Sequence, residues 1–271
     1  MPDDAYIHGT TPEEQARLAR LNALLNPDSL SALALAGGER ILDVGSGLGQ
    51  LARAMGKASG RRVLGVERDD AQRQTAERLA REAGEEEFVD FRVGDAARLP
   101  LAREELGSFD VAHARFVLEH VRDPLAVVLA MAEAVRPGGR IVLEDDDHDL
   151  IRLWPEPAGF AAVWREYMRS YERIGRDPIV GRRLVALLHE AGVRSIRSRL
   201  LFFGGCAGSP DFAFYAENIA IILEEARDLV LAGDAIDGRA FDAALAALRE
   251  WGKRPDAAIW YVRNWAAGRK P

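Results

Sequence analysis

The chain has 271 residues, 48% of them hydrophobic and 29% charged, with a formal net charge of −7. That length suffices for one substantial core plus an insertion, without a second independent domain. Basic residues are interspersed with acids, as across Arg78–Glu87. No concentrated positive surface of the kind phosphate backbones require is therefore expected, which argues against a nucleic-acid partner. Cys206 is the one cysteine, leaving no internal disulfide, no thiolate metal cluster and no mark of secretion. Met1-Pro-Asp-Asp lacks an apolar core, and no stretch approaches the roughly 18 to 20 apolar residues of a membrane span. A soluble, cytoplasmic protein of open oligomeric state is expected.

Thr11-Pro-Glu-Glu is a helix start, with a capping hydroxyl, proline in the first turn and acids at the positive end. Leu18, Leu21, Leu24 and Leu25 share a face, and Asn26-Pro27 is expected to end the segment. A second short helix over 28–36 then leads through Gly37-Gly38 into Arg40-Ile-Leu-Asp-Val-Gly-Ser-Gly-Leu-Gly-Gln50. Here Ile41 to Val44 suit a buried parallel strand, while Gly45, Gly47 and Gly49 remove side chains where a ligand must touch backbone. A helix over 48–58 presents its first amides to that ligand. The spacing Gly-x-Gly-x-Gly, with Asp43 two residues ahead, departs from the dinucleotide fingerprint. Val63-Leu-Gly-Val-Glu67 is a second strand ending in an acid, followed by a helix over 69–83.

This pattern resembles the first motif and its sequel in the class I S-adenosylmethionine-dependent methyltransferases. Three further elements arrive in that family's order: the alternating strand Phe88 to Asp95-Ala96, then Leu99-Pro100; the strand and loop from Ser108 through Arg115 to His120; and a helix over 124–136 stopped by Pro-Gly-Gly before a strand reaching Glu144. The resemblance covers about residues 40 to 150. It implies a Rossmann-like α/β fold of seven strands, and S-adenosyl-L-methionine as cofactor. It implies a glycine loop (Asp43, Gly45, Ser46, Gly47) around the methionine portion, Glu67 with Arg68 at the ribose, and Asp95 with Ala96 at the adenine. Tyr6, in the lead-in Tyr-Ile-His-Gly-Thr, is placed over the cofactor. Arg115, just past the fourth strand, is placed at the cofactor carboxylate or an acidic substrate.

Beyond residue 146 the strand and helix alternation changes. Helices are predicted over 158–173 and 178–191, a strand over 195–203, helices over 210–232 and 238–251, and a last strand over 258–263. The two closing strands of the family form an antiparallel pair, so the two helices between them read as a cap inserted near the last strands. The expected organisation is a helical lead-in over 1–38, a cofactor-binding α/β core over 39–150, and a cap with closing strands over 151–271.

Methyl transfer from a sulfonium is an in-line displacement in which positioning supplies about 7 to 11 kcal/mol. A base is needed only when the acceptor must lose a proton. His120 and His148 are the candidates, each following the C-terminal end of a strand. The run Glu144 to Asp149 carries hard-cation ligand types, but clustered acids at a strand end are more often solvated or bound to amides, and no metal is expected. Of the aromatic residues only Tyr6, Phe88, Phe91, Phe109 and Phe116 precede residue 150. The cap therefore carries the aromatic surface, with Trp154, Phe160, Trp164, Tyr167, Phe212, Phe214 and Tyr215 as the pool for an acceptor pocket. The expected function is methylation of a small, apolar or aromatic molecule. Glu67 lies about 20 residues beyond the glycines, which also suits NAD ribose, so an NAD(P)-dependent oxidoreductase is one alternative. A non-catalytic cofactor-binding protein is another.

Overall fold

A computed structural model describes residues 12–271; Thr11, the expected helix cap, lies outside that range. The elements are α1 (Pro12–Leu33), β1 (Ile41–Val44), α2 (Gln50–Ser59), β2 (Val63–Glu67), α3 (Asp70–Glu82), β3 (Val89–Val93), β4 (Phe109–Arg115), α4 (Pro124–Ala134), β5 (Val135–Asp146), β6 (Arg152–Trp154), α5 (Phe160–Arg173), α6 (Leu184–Glu190), β7 (Arg194–Cys206), α7 (Phe212–Glu225), α8 (Arg227–Leu231), α9 (Gly238–Trp251) and β8 (Ala258–Arg269). Starts follow local chemistry: Asp69 accepts from Gln72 N at 2.9 Å at the head of α3, and Asp123 accepts from Ala126 N at 3.0 Å ahead of Pro124 in α4.

The sheet runs β3-β2-β1-β4-β5-β8. The first five strands are parallel, and β8 is antiparallel to β5, to β6 and, on its other side, to β7. Strand order reverses between β1 and β4, which opens a crevice at their C-terminal ends. One face of the sheet packs Leu42, Leu64, Phe109, Val127, Met131 and Leu188; the other packs Leu33, Ile41, Met55, Val63, Ala76 and Val111. A third cluster, including Trp164, Tyr167, Phe212, Ile219, Phe241 and Trp251, is the cap's own core. Helices α7 to α9 lie between β7 and β8, the insertion expected from the sequence.

Several boundaries differ. Helix α1 continues through Pro27, although an interior proline costs about 3 kcal/mol. Asn22, Asn26 and Ser29, spaced along one face on either side of the proline, all accept hydrogen bonds from Arg115, at 2.7, 2.8 and 2.9 Å. This tertiary anchor holds both halves in one helix. The segment expected as helix over 178–191 starts as a 3-10 turn, Val180–Arg183, before α6. The long helix over 210–232 breaks at Ala226 into α7 and α8. Strand β5 begins at Val135, ahead of the Pro-Gly-Gly, because Val135 pairs with Phe109 before the register shifts. Strand β8 runs on to Arg269 through Trp265-Ala-Ala-Gly, a stretch poor in β-formers. Pairing on both sides imposes the conformation, and a Cβ at Gly268 would lie 2.4 Å from Val193 Cγ1. Strand β6, three residues long, was not expected; it exists by pairing with the start of β8.

Candidate functional site

The crevice at the ends of β1, β2 and β4 is built around the glycine loop. Gly45, Gly47 and Gly49 all have positive φ, at 71°, 51° and 71°, but they are glycine for different reasons. A Cβ at Gly45 would meet Val117 Cγ2 at 2.4 Å, and one at Gly49 would meet Phe91 Cζ at 2.3 Å; at Gly47 the nearest atom is Gln72 Oε1 at 4.0 Å. Gly45 and Gly49 thus allow close packing, and Gly47 alone faces open space where a ligand can lie. Gly45 N and Ser46 N donate to Val66 O at 2.8 and 3.1 Å, so these amides are satisfied within the protein. Helix α2 starts at Gln50 behind Gly49, two residues later than expected.

Glu67 closes the other side. Its carboxylate accepts from Gly47 N at 2.9 Å and from Asp69 N at 3.0 Å, which ties the end of β2 to the loop. Arg68 is exposed beside it. At the end of β3, Asp95 is exposed and accepts from Ala97 N at 2.7 Å, which shapes the turn carrying Ala96. Gly47, Glu67, Asp95 and Ala96 therefore lie together at the strand ends. Tyr6 lies outside the described residues.

Three expected cofactor residues point elsewhere. Asp43 is buried, and its Oδ1 is 2.8 Å from His113 Nδ1 on the neighbouring strand, the two residues being register partners. The Ser46 side chain turns toward β2, where its Oγ would lie 2.8 Å from a Cβ at Gly65, and finds no hydrogen-bond partner. Arg115 directs its terminal nitrogens to α1, as above, instead of to a ligand carboxylate. It belongs to a buried charge network: Arg263 donates to Ser29 Oγ at 2.7 Å and to Glu144 at 2.9 Å, Ser29 donates to Glu144 at 2.9 Å, and His113 Nε2 is 3.5 Å from Glu144. Burial alone would lower the His113 pKa, but the carboxylates of Asp43 and Glu144 outweigh it and raise it to about 9. Burial would raise Glu144, yet His113, Arg115 and Arg263 hold it down at about 2. Burial brings Arg115 down to about 10.

The two candidate bases meet at one carboxyl group. His120 is half-buried, with Nε2 3.4 Å from Glu119 Oε1, and stacks on Tyr171. His148 is buried, with Nε2 2.9 Å from Glu119 Oε2 and Nδ1 hydrogen-bonded to the Tyr261 hydroxyl. Of the acids expected to be solvated or bound to amides, Asp149 is exposed and Asp145 is bound to amides, while Glu144, Asp146 and Asp147 are buried. Asp145 accepts from Leu118 N at 2.8 Å and Val117 N at 3.2 Å, fixing the turn after β4, and Asp147 pairs with Arg182 at 2.6 Å. Glu119, Asp146 and His148 bring donor atoms within 4.8 Å of one another. In this structure both imidazole nitrogens are hydrogen-bonded, Nε2 to Glu119 and Nδ1 to Tyr261.

Phe116, at the mouth of the crevice, adopts φ 55°, a strained conformation for a bulky residue. It packs against the cap cluster with part of its surface open, as do Leu21, Leu24, Met168 and Phe214. The aromatic pool named from the sequence is mostly cap core: Phe160, Trp164, Tyr167, Phe212 and Tyr215 are all buried, and Trp154 is 67% exposed. Only Phe214 of that pool is half-buried, with Arg20 stacked 4.4 Å over its ring. Glu119, His113, Tyr261 and Arg263 were missed, because each sits within an apolar strand or turn whose partners are remote in sequence.

Residues 14–197 match the family described as methyltransferase domain. The chain is 34% identical over 155 residues to 27-O-demethylrifamycin SV methyltransferase of Amycolatopsis mediterranei, covering 57% of this chain and 54% of that protein. It is 32% identical over 192 residues to the ubiquinone biosynthesis O-methyltransferase of Xanthomonas axonopodis pv. citri, covering 69% of this chain and 71% of that protein. The chain spans about half the length of the first curated relatives it matches. Similar solved structures include Haemonchus contortus phosphoethanolamine N-methyltransferase 2 with S-adenosyl-L-methionine (TM-score 0.56, 19% identity, 91% of this chain and 52% of that one). Another is the geranyl diphosphate C-methyltransferase of Streptomyces coelicolor A3(2) with S-adenosyl-L-homocysteine (TM-score 0.54, 18% identity, 92% and 77%). At those identities the likeness is one of fold. The chain belongs to the methyltransferase domain family, and its fold is that of the class I S-adenosylmethionine-dependent enzymes.

Proposed function

We propose that this protein transfers the methyl group of S-adenosylmethionine to a small, apolar or aromatic organic molecule held between the strand ends and the cap. The observation that carries the reading is the open face at Gly47, spanned by the Glu67 carboxylate, at the point where strand order reverses. The methionine portion lies along Gly45 to Gly47, Glu67 takes the ribose hydroxyls, and Asp95 and Ala96 take the adenine. Each is a position where backbone or carboxylate can approach a ligand without displacing core atoms. The acceptor contacts the half-buried apolar residues Leu21, Leu24, Phe116, Met168 and Phe214, whose surfaces form a low-dielectric wall beside the sulfonium. In-line geometry then supplies most of the acceleration.

Hydride transfer is disfavoured by the family match and by the antiparallel closing strands β8 and β7. A protein that only holds the cofactor would bind S-adenosylmethionine stoichiometrically and yield no methylated product. The test is incubation with S-adenosylmethionine carrying a trideuteromethyl group and a small-molecule library, read by mass spectrometry. Label appearing in a small molecule is expected; label appearing only in protein or nucleic acid would contradict the reading.

A further inference from the structure

Cofactor binding does not account for the line of buried side chains behind the 118–120 turn. Glu119 Oε2 is 2.9 Å from His148 Nε2, His148 Nδ1 is hydrogen-bonded to the Tyr261 hydroxyl, and that hydroxyl donates to Asp146 Oδ2 at 3.3 Å. All four residues are more than nine-tenths buried, and Asp146 Oδ1 at the far end has no hydrogen-bond partner. The rings of Trp164, Tyr167 and Tyr171 surround His148 at 5.5 to 5.7 Å and keep water out. The near end follows the turn at Val117, which packs against Gly45 of the glycine loop two residues before Glu119.

The donors can be assigned in order. Because the Tyr261 hydroxyl donates to Asp146, its oxygen accepts from His148 Nδ1–H. The imidazole is then neutral with a bare Nε2, which the Glu119 carboxyl must supply with a proton. Burial pushes Glu119 and Asp146 alike up to about 8 and holds His148 below its ordinary value; with three protons for the three links and the Tyr261 hydroxyl donating to Asp146, the neutral carboxyl is Glu119. Charged and titratable groups facing the chain are His120, Asp145, Asp147, Arg176 and Arg263, with the hydroxyls of Tyr167 and Tyr171 beside the imidazole. Every donor points the same way, from Glu119 toward Asp146.

Resting on the methyl-transfer reading above, we propose that Glu119, His148, Tyr261 and Asp146 form a relay that removes the proton of a hydroxyl-bearing methyl acceptor. The acceptor oxygen attacks the methyl carbon, the carbon–sulfur bond breaks with its electron pair left on sulfur, and neutral S-adenosylhomocysteine leaves. The hydroxyl proton passes to Glu119 as the Glu119 proton moves to His148 Nε2, the Nδ1 proton to Tyr261, and the Tyr261 proton to Asp146. One proton enters and Asp146 ends neutral, to be deprotonated after product departs. The substrate class that fits is a phenol or catechol.

The test uses catechol and 4-nitrocatechol, whose hydroxyl ionises readily near neutral pH. Tyr261→Phe keeps the ring packed 4.6 Å from Phe203 and removes only the hydroxyl. With catechol its kcat should fall about 100-fold, with KM and S-adenosylhomocysteine affinity unchanged; with 4-nitrocatechol the loss should shrink to about threefold or less. Glu119→Gln should behave alike. Nitrogen-15 NMR of the histidines at pH 7 should show His148 protonated on Nδ1. Equal losses with both probes, an Nε2–H tautomer, or activity abolished by a chelator and restored by a divalent cation would each overturn the relay while leaving methyl transfer intact. If the parent protein binds S-adenosylhomocysteine but methylates neither probe, the hydroxyl acceptor is refuted.

Discussion

Gly45→Ala and Gly47→Ala separate the structural from the ligand-binding role of the loop. Both residues have positive φ, a conformation that costs an L-residue roughly 1 to 2 kcal/mol. At Gly47 nothing else opposes a methyl group, since the nearest atom is 4.0 Å away. With 1 kcal/mol worth about 2 to 4 °C in a chain of this size, Tm should fall by about 2 to 8 °C. At Gly45 the new Cβ would lie 2.4 Å from Val117 Cγ2, which adds an overpacking penalty of about 1 to 3 kcal/mol and displaces the turn held by Asp145. Its Tm fall should be about twice as large. Affinity should run the other way. The Gly47 variant places its methyl group where the proposed site holds the cofactor's methionine portion, and should lose at least about tenfold, or 1.4 kcal/mol, in S-adenosylhomocysteine affinity. Thermal melts and isothermal titration read the two effects separately. A Gly47→Ala protein that binds with parental affinity would refute the placement of the loop.

Glu67→Gln exchanges a charged acceptor for a neutral amide at the proposed ribose contact; loss of charge-assisted hydrogen bonds worth about 1.5 to 3 kcal/mol should weaken cofactor binding at least tenfold, measured by titration. Asp95→Ala, at an exposed site where one turn hydrogen bond worth about 0.5 to 1.5 kcal/mol is lost, should weaken binding while lowering the apo melting temperature by only a few degrees, and a variant that unfolds would show Asp95 to be structural. Stability should fall as pH rises from 6.5 through 9. His113 has a folded pKa of about 9 against an ordinary 6.5, so its contribution is fully present below 6.5 and lost above 9. For this wholly buried group the loss is on the order of 3 kcal/mol. The raised carboxyls Glu119 and Asp146, at about 8, act in the same direction from their ordinary range upward. Denaturant melts from pH 6 to 9.5 check it, and a stability that rises over that range would contradict the assigned network.

Local pattern was enough to read the core through β5, because parallel strands buried on both faces are continuous apolar runs and the glycine loop is short and contiguous. The same locality put Glu67, Asp95 and Gly47 at the strand ends. Asp43 and Arg115 were misplaced for a different reason. A carboxylate opposite His113 in register and a guanidinium beneath Asn22, Asn26 and Ser29 satisfy each other across 70 to 93 residues of chain, and no spacing in the sequence records that. Pro27 reads as a break because propensity is local, whereas the bonds that hold α1 as one helix are tertiary. Trp164 and Tyr215 looked like pocket residues by composition; helical spacing cannot distinguish an aromatic that faces a ligand from one that fills the cap. The relay was invisible for the same reason, since Glu119, Asp146 and His148 are neighbours of Tyr261 only once β8 lies against β5 and β6.

The central claim is that methyl groups pass from S-adenosylmethionine to a small molecule at this crevice. Mass spectrometry of small molecules incubated with the protein and trideuteromethyl-labelled cofactor tests it most directly. A single trideuteromethyl group should appear on an apolar or aromatic compound, with an equal amount of S-adenosylhomocysteine formed, and at limiting cofactor both should fall about tenfold or more in Gly47→Ala. Stoichiometric cofactor binding with no labelled small molecule, or label confined to protein or nucleic acid, would contradict it.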